Sequence, residues 1–208
     1  MARLTRVEQR AQTRADLLAA ARDRFLEVGY AAASLEDIAD RAGYSKGAVY
    51  SNFVDKPNLC REVLQAIHEE KIGELAGVVT GDGALQERID LLADWVRRTA
   101  GDVGWTMLEL EFITVARNDP ELLAMIVELR SEARRTVVDM LVDLVRGESD
   151  GAGDIAGELR ATLESAAELL LSAGIGLGIQ RAIDPTIVTE PVIESMRATL
   201  TMLAAAGS

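Results

Sequence analysis

SLEDIADRAGYSKGAVYSNF, residues 34–53, is the stretch on which the fold turns. Ser34 reads as an N-cap, its hydroxyl positioned to accept the N–H of Asp37, ahead of Leu35, Ile38, Ala39 and Ala42 at helical spacing. Gly43 stops that short helix and supplies the left-handed residue of a tight turn. Ser45 then caps a second short helix carrying Val49, Tyr50 and Phe53. Ala39 is small where the two helices must approach, and Ile38 and Val49 are apolar where they pack. Helix, tight turn and helix in this order make a helix-turn-helix. The second helix leads with Tyr44, Ser45, Lys46 and Gly47, placed to meet phosphates and base edges at a positive helix end. Gly47 and Ala48 are small enough for the backbone to lie close to a DNA major groove.

Helical periodicity continues in both directions, with no alternation long enough for a strand. Upstream, Leu17, Ala21, Phe25 and Val28 share a face of a helix over roughly 8–28, ended by Gly29. Downstream, Asp55 caps a helix with Pro57 in its first turn, extending to about Leu75. Five further helices are expected at about 85–99, 103–117, 120–146, 154–181 and 185–205. Asp119-Pro120 and Asp184-Pro185 both have the start chemistry of a carboxylate cap followed by proline. The fold class is all-α: an N-terminal domain (1–55) with a helix-turn-helix and a basic arm, and a C-terminal helical domain (56–208).

The 208 residues carry 34 acidic and 22 basic side chains, a formal charge of −12, which taken as a whole opposes nucleic acid. The distribution reverses that inference. Residues 1–60 hold nine Lys/Arg against eight Asp/Glu, and the first 14 carry +3, so all the excess acidity lies downstream. The N-terminus has no apolar signal-peptide core. The longest nearly apolar run, 169–179, is 11 residues against the about 20 needed to span a bilayer. One cysteine, Cys60, excludes a disulfide framework. A cytoplasmic protein with no membrane partner is expected. No cofactor or metal is expected either, since one His and one Cys make no zinc cluster. His68-Glu69-Glu70-Lys71-Ile72 opens like a zinc-protease motif but has Ile72 in place of the second histidine. Cys60 and His68, eight residues apart on one helix, are about 12 Å apart along its axis. An enzyme is not expected.

The stretch TRADLLAAARDRFLEVGYAAASLEDIADRAGYSKGAVYSNFVDKPNL (13–59) resembles the DNA-binding domain of TetR-family transcriptional regulators, in FLEVGY, the Ser34 cap, IADRAG, YSKGAVYSNF and Lys56. Pro57 departs from the family's usual polar helix former. The resemblance implies phosphate contacts from Ser34, Tyr50 and Lys56. It places Tyr44, Ser45, Lys46 and Gly47 in the groove, with Lys46 facing guanine or phosphate. Arg3 and Arg6 would follow the minor groove as a disordered arm. Tyr50 could alternatively pack within the domain, and Ser45 and Lys46 could form no more than a solvated cap.

The resemblance also implies a homodimer that binds a palindromic operator on double-stranded DNA, most simply as a repressor, and is released by a small-molecule effector. The alternative is a ligand-binding or adaptor dimer with a non-functional DNA head. Ser172 and Gly176, and Gly174 and Gly178, lie four apart and permit close helix approach, either across a dimer interface or within one subunit. Trp105, Glu109 and Phe112 share one face of an apolar, central helix, and Trp95 is a further candidate to line a cavity there. A carboxylate there must be paired with an arginine such as Arg97 or Arg98, or wait for a cationic or hydroxyl-bearing ligand.

Overall fold

The computed structural model describes residues 5–79, 83–99, 101–146 and 157–207. Among them run nine α-helices: α1 (Arg6–Ala32), α2 (Leu35–Arg41), α3 (Lys46–Asn52), α4 (Lys56–Val79), α5 (Leu85–Thr99), α6 (Val103–Ala116), α7 (Pro120–Arg146), α8 (Gly157–Ile183) and α9 (Glu190–Gly207). The all-α expectation holds.

Two compact units form, and their division differs from the expected one at residue 55. One unit comprises residues 1–67 and 107–126, the other 68–106 and 127–208. The cause is helix length. The first half of α4 supplies Leu59, Cys60, Val63 and Leu64 to the head, and α6 supplies the buried Leu108, Phe112 and Ala116.

In the first unit, α1 is opened by Thr5 and Glu8 in a capping box, so it starts at Arg6 rather than near Glu8. Its helical geometry breaks at Gly29, with φ 82° and ψ 168°, a backbone region essentially reserved for glycine. Leu17, Ala21 and Phe25 are buried beneath it, and the Phe25 and Tyr30 rings stack at 5.9 Å. Ser34 caps α2 by accepting the Asp37 N–H at 3.1 Å. Gly43 turns the chain with φ 75°, while the Tyr44 N–H reaches back to the Ala39 carbonyl at 2.9 Å. Ile38, Ala39 and Val49 are fully buried where α2 and α3 meet. Ser45 stands at the N-cap of α3 without a side-chain capping bond, which corrects the expected cap. Asp55 does cap α4, accepting the Asn58 N–H at 2.7 Å.

In the second unit, the end of α4 and helices α5, α7, α8 and α9 share one apolar core that includes Leu75, Ile89, Leu92, Leu141, Leu163, Ile193 and Leu200. The Arg197–Asp90 pair (2.7 Å) and the Arg97–Glu190 pair (3.1 Å) join α9 to α5. Asp119 opens α7 as expected, accepting the N–H groups of Glu121 and Leu122. Asp184-Pro185 does not open a helix. Asp184 instead accepts the N–H and hydroxyl of Thr186, closing a local turn, and α9 begins at Glu190, with Pro191 in its first turn. The Thr186 bonds hold the Asp184 carboxyl below its usual range.

Leu159–Ile183 of α8 is long and apolar enough, by length and composition, to cross a bilayer. Counting an uninterrupted apolar run missed this, because the run stops at Glu168 and Gln180, whereas an average over 18 residues tolerates one or two charges among leucine, isoleucine and alanine. Leu163 and Ala167 of this helix belong to the core, and Glu164 and Glu168 pair with Arg134 of α7.

Candidate nucleic-acid interface

The exposed edge of the helix-turn-helix is assembled from three short pieces. Ser34 is exposed, and because its oxygen accepts from Asp37, its O–H stays available as a donor. Ser45, Lys46 and Gly47 are exposed at the leading end of α3. Tyr50 follows one turn on and is 54% exposed, so it is not a core residue of the head. Nothing but the Ser45 hydroxyl comes within 4 Å of a methyl built on Gly47, so its surface is open. Tyr44 is half-buried, and its hydroxyl donates to Asp16 of α1 at 2.8 Å. It braces the turn against α1 as well as flanking the edge.

The basic groups are more committed than sequence alone suggested. Arg3 lies outside the described residues. Arg6 is the first residue of α1, not part of an extended arm. Arg10 donates to the Ser51 carbonyl and Arg14 to the Asn52 carbonyl, each at 3.2 Å. These two cations therefore serve the C-terminal end of α3, where carbonyls lack helical partners. Arg14 also pairs with Glu62 and lies 4.4 Å over the Phe53 ring. Together these contacts set the position of α3 against α1 and α4. Lys46 forms an ion pair with Glu36 of α2, which holds the amine above its ordinary pKa.

Lys56 occupies a partly buried site of its own. Its ammonium donates to the Ala31 carbonyl at 3.3 Å and lies 4.4 Å over the Tyr30 ring. Burial is the main influence on it and pulls its pKa down. The same burial pushes the Tyr30 phenol up to about 12. Beside it, Glu111 of α6 accepts the Ala31 N–H at 2.9 Å. Ala31, just past the Gly29 break, is thus held at its N–H by α6 and at its carbonyl by α4. Sequence reasoning missed Glu111. It singled out Glu109, two residues earlier, because Glu109 shares a face with the aromatics.

The expected effector residues do not form a single set within either unit. Trp95 and Trp105 belong to the second, Glu109 and Phe112 to the first. Phe112 is buried with its ring edge-on to Tyr30 at 5.9 Å, making it core of the head. Glu109 is half-buried and already engaged, whereas Arg97 pairs with Asp94 and Glu190. The Trp95 indole packs on the second core and donates to Glu74 at 3.1 Å. Trp105 meets His68 edge-on at 5.2 Å, and among the described residues neither Trp105 Nε1 nor His68 Nε2 has a hydrogen-bond partner. Burial, reinforced by Arg130, lowers the His68 pKa to about 4, so the ring is neutral at pH 7. Of the glycine stripe, Ser172 is exposed and Gly174 and Gly176 face open space. Gly178 is buried, and a methyl there would sit 2.1 Å from Thr106 Oγ1. Its small size serves a close approach of α8 to Thr106 within the chain, the second of the two expected alternatives. Among the described residues no cluster of three or more His, Cys, Asp or Glu could hold a metal.

A buried α2–α3 crossing, a glycine turn and an exposed α3 edge, joined to a larger helical unit, define a helix-turn-helix protein of the bacterial regulator type. The family model for bacterial regulatory proteins of the tetR family matches residues 17–63, so the helix-turn-helix head is of the TetR/AcrR type. It is 32% identical over 107 residues to the transcriptional repressor AcnR of Corynebacterium diphtheriae, spanning 51% of this chain and 52% of that protein. It is 48% identical over 63 residues to the transcriptional activator FasR of Mycolicibacterium smegmatis, spanning 30% and 27%. The chain thus matches about half the length of AcnR and about a quarter of FasR. The fold also matches the transcriptional regulator FadR of Bacillus subtilis, solved with stearoyl-CoA: TM-score 0.64, 17% identity, 89% of this chain and 96% of that one.

Proposed function

We propose that the protein is a cytoplasmic transcriptional repressor that binds a palindromic operator as a homodimer and leaves it when a small-molecule effector binds the second unit. The carrying observation is the exposed leading edge of α3 (Ser45, Lys46, Gly47) with Tyr50 behind it, on a head braced from both sides by Arg10, Arg14 and Tyr44. Such an edge suits major-groove reading, and two heads on a two-fold axis would meet half-sites about 34–36 Å apart or somewhat more. Ser34, Tyr50 and Lys56 are the proposed phosphate contacts. For Lys56 this requires the ammonium to leave or share the Ala31 carbonyl. The open Ser172, Gly174 and Gly176 surface of α8 supports pairing with a second copy.

Repression is favoured by the AcnR relatives, while the FasR head belongs to an activator, so the sign of regulation is tested separately. FadR, bound to stearoyl-CoA, supports an effector with a long apolar part. Effector release requires tighter binding to the head arrangement that no longer fits DNA. Gel shifts with fragments from around the gene test the reading. Specific retardation that Lys46→Ala weakens supports it, and failure to retard any genomic fragment refutes it.

A further inference from the structure

Most described cations of the head are tied into its scaffold. Arg10 and Arg14 hold α3 carbonyls, Arg24 pairs with Asp37 and Glu27, Arg41 pairs with Glu27, and Lys56 holds Ala31. The Lys46–Glu36 pair is different. It joins the first turns of the two helices of the helix-turn-helix, and the side chains are 52% and 65% exposed. Asp37, the neighbouring carboxylate, already fastens α2 to α1 through Arg24. Among the described residues Glu36 ion-pairs with Lys46 alone. The scaffold therefore does not need Glu36, and its carboxylate stands at the edge proposed to enter the groove.

A bonded ammonium and carboxylate present a donor beside an acceptor. In the major groove a G·C pair presents the complement: guanine N7 and O6 accept, and cytosine N4 donates. Guanine O6 and cytosine N4 are themselves hydrogen-bonded neighbours, as the ammonium and carboxylate are. Phosphates, in contrast, offer only acceptors and repel a carboxylate. We infer that Glu36 is a specificity-determining residue that acts with Lys46 as one unit to read a G·C base pair, Lys46 donating to guanine and Glu36 accepting from the cytosine amino group. The same carboxylate opposes sequence-independent binding, because Lys46 must leave it to reach a phosphate.

This inference rests on the proposed DNA-binding function, and selection from a random-sequence duplex library tests the two apart. The wild-type dimer should enrich a site with one dominant G·C pair per half-site. Glu36→Ala should relax that position by about tenfold or more and leave the others unchanged. The variant should also bind a fixed random-sequence duplex more tightly, by about threefold per head. Glu36→Gln, which keeps an acceptor oxygen without the charge, should share the tighter random-duplex binding and retain more of the G·C preference. Melting curves establish that each variant is folded. An unchanged base preference in Glu36→Ala, or unchanged random-duplex affinity in both variants, overturns the inference while the DNA-binding function stands. A wild-type protein that enriches no sequence overturns the underlying function itself.

Discussion

Between pH 7 and pH 5, above the carboxylate range, acid should destabilise this protein through His68. Its ring is buried against Trp105, has no hydrogen-bond partner at Nε2 among the described residues, and has a pKa lowered from 6.5 to about 4. As the pH falls below 6.5 the unfolded chain takes up the proton first, while the folded chain resists until about pH 4. Stability is therefore intact above 6.5 and is lost as the pH falls through that window. The loss is about 2 kcal/mol between pH 7 and pH 5, rising to about 3 kcal/mol at pH 4. His68→Phe keeps an aromatic ring against Trp105, removes the titration and leaves no imidazole nitrogen unsatisfied. Urea unfolding at a fixed protomer concentration, at pH 7 and pH 5, should show the wild type losing about 2 kcal/mol more than the variant. At pH 7 the variant should match or exceed the wild type, since a buried polar atom without a partner costs about 1–3 kcal/mol. Equal losses in the two proteins would refute the reasoning and place the acid sensitivity among the carboxylates.

Three more outcomes follow from the geometry. Gly29→Ala forces a side chain into a glycine-only backbone region and should cost about 1–3 kcal/mol. The Glu111 carboxylate also lies 2.5 Å from the added methyl, so a thermal melt should show part of that cost relieved in Gly29→Ala/Glu111→Ala. Gly178→Ala should lower the melting temperature, because its methyl meets Thr106, whereas Gly174→Ala should leave the protomer as stable or gain up to about 1 kcal/mol of helix propensity. If Gly174→Ala nevertheless weakens self-association in sedimentation, the open face of α8 is the dimer surface; unchanged association excludes that position. Lys56→Gln, at a proposed phosphate contact, should reduce the salt dependence of DNA binding by about one unit of slope per head, read from affinities at several salt concentrations.

Much of this architecture was legible in the chain because its signals are local. Ser34, Gly43, Asp55 and Asp119 act on backbone groups within a few residues, so their roles could be assigned from spacing alone. Where two local signals competed, the reading failed. Asp184-Pro185 has helix-start chemistry, but Thr186 offers Asp184 both an N–H and a hydroxyl, and the turn won. Ser45 has the right chemistry for a cap yet makes no capping bond. The basic N-terminal residues were legible as charge but not as structure. Arg10 and Arg14 meet Ser51 and Asn52, about forty positions along the chain, and no periodicity reports such a pairing.

The sequence by itself determined the helical class and the helix-turn-helix, because caps, glycine turns and apolar spacing act over one or two turns of chain. Only the tertiary structure decided which polar groups are committed. Lys46 faces Glu36, Lys56 faces Tyr30 and Ala31, Glu111 rather than Glu109 holds the Gly29 break, and Gly178 is closed off by Thr106. The physical reason is that a charge, or the space beside a glycine, takes its meaning from neighbours brought in by distant helices. Hydrophobic burial brings those helices together, and the local sequence does not encode which side chains will then meet.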